Sequence, residues 1–289
     1  MKPEFIEDQV ARQGWVKTTE KAMKTVSDAT VKKSGSRLRN FLHGTWLGHP
    51  LHSATTDIPV GAFTTATMLD TMDAMMGTKR YAQGADAAVG IGLVTSGFAA
   101  ASGLADWSKA NEPARRVGAL HAVFNGSASL FYLASWIFRK RGHRTAAMNT
   151  GIMGWLFLMV GAYLGGRMVY NHGLGVDHAE HGGPKEFTPV MPISELPDNT
   201  PHRVHADGVC VLLVKQGDRI FAIGEKCAHL AGPLEDGKLE GQTISCPWHG
   251  SKFDLATGRV LEGPSVYDQP CFETRVENGQ IEVRIKQQM

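Results

Sequence analysis

The sequence predicts a multidomain chain: an N-terminal all-α bundle of four transmembrane helices, then a C-terminal all-β domain. Three observations predict it. Stretches 87–105, 117–138 and 148–166 contain no charged residue, and each approaches the roughly 20 apolar residues that carry a helix across a bilayer. From about residue 188 the pattern turns to short β-type runs separated by turn dipeptides such as Asn278-Gly279. Inside that second half, "CAHLAGPLEDGKLEGQTISCPWHGSKFD" (Cys227 to Asp254) holds a C-x-H pair and a C-x-x-H pair sixteen residues apart.

At 289 residues there is room for two domains. A formal net charge of +2, with no basic stripe interleaved with aromatics, excludes nucleic acid as the expected partner. Of the four cysteines, Cys210 and Cys271 sit in strand-like sequence and read as buried thiols in a reducing compartment. The opening "MKPEFIEDQVARQGW" has no apolar core, so no secretory leader is expected. "SRLRNFLHG" echoes a twin-arginine export signal, but Leu38 separates Arg37 from Arg39 and a poor apolar stretch follows.

In chain order, residues 1–44 read as an amphipathic or surface segment, helical over 3–33. A membrane domain follows over 45–172, with spans at about 55–76, 84–106, 117–138 and 148–170. The first is the weakest, because Asp57, Asp70 and Asp73 interrupt it. None of these segments has the strongly polar face of a surface helix. Gly, Ala, Ser and Thr are plentiful, as where membrane helices approach closely, and short basic connectors divide them ("GTKR", "SKANEPARR", "RKRGHR"). Residues 173–187, rich in His and Gly, read as a tethering linker with incidental metal affinity. The β domain takes up 188–289, with "GVCVLLVKQGDRIFAIG", "QTISCPW" and "CFETRVENGQIEVRI" as its strand-rich runs.

Two Cys–His pairs suit zinc or an iron–sulfur cluster, and ligand identity alone does not separate them. The framing does: "GPL" follows the first pair, and the second sits in "PWHG-S-x-F-D". With those residues, 188–287 resembles a Rieske [2Fe–2S] domain. The resemblance implies that Cys227 and Cys246 bind one iron and His229 and His249 the other, with Leu230, Pro247 and Trp248 framing the site. Neutral imidazoles in place of two thiolates lower the negative charge and so ease reduction. High-potential members carry one more cysteine in each loop, joined as a disulfide, and place a serine and a tyrosine hydroxyl against the sulfurs. Here Trp248 stands in the second cysteine's place, Ser251 is kept, and Phe253 replaces the tyrosine. Losing one of two hydrogen bonds implies an intermediate or low potential and a likeness to the ferredoxin-type branch. Only about forty residues follow His249, too few for the second iron domain of an oxygenase, so a complete oxygenase is not expected.

In the membrane half, four alternating spans would bring His49, His52, His121 and His172 to one depth, with Asp106 and Asn125 near it. Two readings stand: interfacial histidines that cap helices and meet lipid head groups, or a functional site binding haem b, a metal or a quinone. "GHPLHSATTDIPVG", "GLADW", "HAVFN" and "YLGGRMVYNHGLGV" make residues 45–178 resemble a four-helix membrane family of unknown function. The expected role is a membrane-bound electron carrier, passing single electrons between a donor and a partner enzyme, a reductase or an oxygenase component. Its rivals are a redox sensor or scaffold, and a quinone- or haem-linked oxidoreductase. Near the spans Arg37, Arg39, Lys109, Arg115, Arg116, Arg167 and Lys185 lie on one face against Lys79, Arg80, Arg139, Lys140, Arg141 and Arg144, which nearly ties. The missing export leader then places the chain in the cytoplasmic (inner) membrane, multi-pass, with the β domain facing the cytoplasm.

Overall fold

Helical periodicity governs the chain as far as Tyr170. The computed structural model describes residue 9 and residues 13–286, without the side chain of Lys32. Among them are six α-helices: α1 (Gly14–Ser27, continued by a π-helical turn to Lys32), α2 (Ser36–His43), α3 (Leu51–Met76), α4 (Ala82–Trp107), α5 (Glu112–Lys140) and α6 (Arg144–Tyr170). The expected N-terminal helix is present from Gly14; its earlier part, residue 9 apart, lies outside the described residues. The four expected spans fall on α3–α6, and α4, α5 and α6 are each several residues longer than the charge-free stretch inside them. At α5 the reason is a cap: Asn111 Oδ1 accepts from Ala114 N–H at 3.1 Å, with Pro113 in the first turn.

Two compact units divide the chain, and the division corrects the boundaries expected at 44 and 172. Among the described residues, one unit runs up to Ser34 and takes in Leu51–Leu174; the other joins Gly35–Pro50 to residues 175–286. Helix α2, which precedes the bundle in sequence, thus belongs with the β strands. Asn40 donates to Leu261 O at 3.2 Å and accepts from Gly263 N–H at 3.1 Å, while Arg39 pairs with Glu262.

Among the described residues only α4, α5 and α6 are both long enough and apolar enough to cross a membrane; α3, which carries Asp57, Asp70 and Asp73, is not one of them. Two of the α3 aspartates are answered internally. Asp70 pairs with Arg139 and Arg144, and Asp86 with the same two guanidiniums, so each of α3–α6 supplies one charge to a quartet in which Asp70 and Arg139 are buried. Asp73 accepts from Thr78 Oγ1 at 2.9 Å and from Tyr81 N–H at 3.1 Å.

An internal repeat, missed in the sequence, orders this unit. Residues of α3 meet residues of α5 that lie 69 positions later: His52 with His121, Phe63 with Tyr132 and Asp70 with Arg139. The second pair stacks at 3.9 Å and 7°. Helices α4 and α6 repeat at 62. Gly92 takes the face of Phe63 and Gly154 that of Tyr132, so closely that an added Cβ would fall 2.4 and 2.9 Å from the rings. The steps of eleven and seven residues are close to three and two helical turns, so each set shares one helix face.

The β unit has two antiparallel sheets. Strands β1 (Thr188–Pro192), β2 (His202–Ala206), β3 (Val209–Gln216), β4 (Arg219–Gly224), β9 (Cys271–Glu277) and β10 (Gln280–Ile285) form one in the order β1-β10-β9-β4-β3-β2. The other is a meander of β5 (Lys238–Glu240), β6 (Thr243–Ser245), β7 (Lys252–Asp254) and β8 (Val260–Glu262). The unbroken apolar run of β3 has a simple cause: both faces are buried. Val211 and Leu213 enter one core with Phe272 and Ile281, while Leu212 and Val214 enter another with Leu234, Ile244 and Phe253. Cys227 and Cys246 belong to that second core.

Candidate metal centre

Both Cys–His pairs sit on loops built on one backbone frame. After β4, Cys227 N–H donates to Gly232 O and Cys227 O accepts from Ala231 N–H; after β6, Cys246 N–H donates to Ser251 O and Cys246 O accepts from Gly250 N–H. The fifth residue of each frame is left-handed, Ala231 at φ 57° and Gly250 at φ 80°. "CAHLAG" and "CPWHGS" are therefore the same turn, with histidine third in one and fourth in the other. Only the small residues at the fifth and sixth places hinted at this in the sequence.

The frame brings the expected ligands together in pairs. Cys227 and Cys246 share a side-chain hydrogen bond, and the rings of His229 and His249 stand 4.9 Å apart, nearly perpendicular. Among the described residues no three of His, Cys, Asp or Glu close on one point. The shared bond draws Cys246 down to about 7, and the same bond, followed by burial, pushes Cys227 up. The cysteines are buried, the histidines half-buried, and Pro247 and Trp248 exposed, Trp248 by 56%. Leu230 is half-buried beside His229.

Ser251 and Phe253 lie where the loop meets the inner core. Both are fully buried. Ser251 Oγ accepts from Ser265 N–H at 2.9 Å, which leaves the hydroxyl proton for a further partner. Phe253 packs in the core that contains both cysteines.

Several supporting residues had no signature in the sequence. Buried Gln269, with its amide turned so that the oxygen faces Ala228, accepts from Ala228 N–H at 2.7 Å and donates to Lys226 O at 3.1 Å. Ala228 O in turn accepts from His178 N–H at 2.9 Å. The segment expected as a free tether is therefore bonded along this unit. Tyr267 Oη donates to Gly175 O, Glu180 pairs with Lys226 and accepts from Cys210 N–H, and Pro184 O accepts from Ile285 N–H. The Lys226 ammonium, then the Cys210 amide, hold the Glu180 carboxyl below its usual range.

Among the membrane-half histidines, ring contact joins His52 and His121, 6.1 Å apart. His172 lies in the turn after α6 and His49 in the segment before α3, where its Nδ1 is 3.0 Å from Pro50 O. The expected group of four is in this respect a pair.

Two small antiparallel sheets, with two like loops presenting buried thiols and rim imidazoles, define an iron–sulfur protein of the Rieske type, and the donor set fits a two-iron cluster. The chain belongs to that family: residues 186–273 match the family described as "Rieske [2Fe-2S] domain", and residues 48–178 match "Predicted membrane protein (DUF2231)". Ferredoxin CarAc of Metapseudomonas resinovorans is 33% identical over 95 residues, which cover 32% of this chain and 89% of that protein. Apoptosis-inducing factor 3 of Mus musculus is 30% identical over 99 residues, 34% of this chain. The chain spans only 16% of that relative's length. Among solved structures, the ferredoxin of carbazole 1,9a-dioxygenase from Nocardioides aromaticivorans matches at 28% identity and TM-score 0.33, covering 35% of this chain and 98% of its own.

Proposed function

We propose that this protein is a membrane-bound Rieske electron carrier that passes single electrons to or from a partner enzyme of the oxygenase type. Cys227 and Cys246 would hold one iron and His229 and His249 the other, and a bound cluster supplies a one-electron couple. The observation that carries this reading is the paired geometry, thiols inward and imidazoles at the rim. Half-buried His229 and His249, bordered by exposed Pro247 and Trp248, offer a partner a short route to the redox centre. The partner class follows from relatives named as ferredoxins of dioxygenase systems, such as the naphthalene 1,2-dioxygenase/salicylate 5-hydroxylase ferredoxin component of Ralstonia sp, 29% identical over 94 residues.

The helical half reads as four spans in the cytoplasmic membrane. Helix α3 has 26 residues, about 39 Å at 1.5 Å per residue, enough to cross the hydrocarbon layer. Pairing of Asp70 and Asp73 inside the unit removes most of what disqualified it. Arg139 and Arg144 pair with Asp70 and Asp86, and Arg115 and Arg116 pair with Glu20 and Glu112, so pairing leaves the cations of the two faces evenly matched.

Anaerobically purified protein is expected to hold two irons and two sulfides per chain and, once reduced, to give a Rieske-type paramagnetic resonance. One zinc per chain and no iron would overturn the assignment. Membrane placement is checked by retention in the membrane pellet after carbonate washing.

The potential should respond to the two inner side chains. Phe253→Tyr offers a new hydroxyl and should raise it; Ser251→Ala should lower it. A hydrogen bond worth ~1 kcal/mol corresponds to roughly 40 mV for one electron. Redox titration followed by circular dichroism reads both changes, and shifts of the opposite sign would show the side chains to be misplaced.

A further inference from the structure

The three layers of the α3/α5 repeat do not end alike. Phe63 and Tyr132 satisfy each other by stacking, and Asp70 and Arg139 by charge. The top layer joins two imidazoles, which neither stack nor pair by charge, in a part of the chain where polar groups are costly without a partner.

Each ring is held in the same way. His52 Nδ1 lies 2.8 Å from Ala99 O on α4, and His121 Nδ1 lies 2.8 Å from Gly161 O on α6. A carbonyl only accepts, so both Nδ1 atoms carry the proton and both Nε2 atoms are the lone-pair nitrogens. Four residues beyond each carbonyl a glycine meets the ring. A Cβ on Gly103 would lie 2.8 Å from His52 Cε1, and one on Gly165 would lie 3.1 Å from His121 Cε1. Fixing Nδ1 on a backbone carbonyl is how proteins orient an imidazole for a metal. Asn125 Nδ2 lies beside the second ring, 3.4 Å from Nε2 and 3.2 Å from Nδ1, but its nearest partner is His121 O at 2.9 Å.

We propose that His52 and His121 bind one metal centre between their Nε2 atoms, either the iron of a haem or a bare transition-metal ion. The spacing accommodates this chemistry. Two imidazoles sharing one metal, with bonds of about 2.0–2.1 Å, place their ring centres roughly 6 Å apart, and the observed separation is 6.1 Å. A quinone clamped between the rings by two hydrogen bonds of about 2.8 Å would hold them more than about 10 Å apart.

The test uses full-length protein purified in mild detergent from cells supplied with haem precursor and trace metals. Metal analysis and a reduced-minus-oxidised visible spectrum are taken on wild type, His52→Ala, His121→Ala and His121→Met. The expected result is one metal per chain beyond the two cluster irons, absent from both alanine variants while the Rieske resonance persists. A haem band identifies the haem form, and His121→Met should then shift that band and raise its potential rather than erase it. Extra metal without a band identifies the bare ion. If the alanine variants fail to fold, seen as loss of the Rieske resonance, wild type and His121→Met decide alone. Two irons per chain with no other metal and no haem band overturns the proposal, whether or not quinone co-purifies. Extra metal undiminished in folded alanine variants overturns it too.

Discussion

Asp70→Asn should cost the helical unit about 3–5 kcal/mol, the usual loss when one partner of a buried ion pair is removed. Asp70 is 3% exposed and faces Arg139 and Arg144. Its replacement leaves two guanidiniums with Asp86 as their remaining carboxylate in the quartet. The double change Asp70→Leu with Arg139→Leu should recover most of the loss, because Asp86 and Arg144 remain as a balanced pair and the leucines need no partner. Thermal unfolding in detergent, followed by far-ultraviolet circular dichroism, measures both, and the Rieske resonance serves as an internal control. Equal losses in single and double variants would show that the quartet is not an energetic unit.

Gly232→Ala should empty the centre. A Cβ there would stand 2.9 Å from Cys246 Sγ and 3.1 Å from the Trp248 ring. Trp248 is exposed and can swing aside; Cys246 is buried on a frame bonded at both ends and cannot. Iron and sulfide per chain should fall to well under half of wild type. One residue earlier, Ala231→Gly should keep the cluster and be neutral to slightly stabilising, since Ala231 already sits at φ 57°. Full iron content in Gly232→Ala would mean that the loops yield more easily than their bonding implies.

What the sequence revealed and what it hid follow from how each feature is encoded. The β hairpins were legible because Asn278-Gly279 and the alternation around it act locally, and the helices because charge-free runs are local too. The Cys–His pairs were legible through their framing residues. Gln269, the strap through His178 and the placement of α2 were not, since each depends on backbone groups far away in the chain that carry no side-chain signature. The partner of Asp70 was hidden for the same reason: a hydropathy scale cannot know that Arg139 lies 69 positions ahead. The repeat was present all along as Leu-His, then an aromatic, then a charge at matching intervals. Its two halves share so few identities that spacing, rather than likeness, had to reveal it.

That repeat has a consequence for what this bundle is free to become. If two identical helical hairpins met about a two-fold axis, every axial residue would face its own copy: carboxylate against carboxylate, phenol against phenol. Joining both hairpins in one polypeptide lifts that restriction, and two of the three layers have used the freedom, becoming Phe63 with Tyr132 and Asp70 with Arg139. The histidine layer has not diverged. Sameness is retained where the two halves must present the same face to whatever lies between them, so the most symmetric layer of the unit is also the one to search for a ligand.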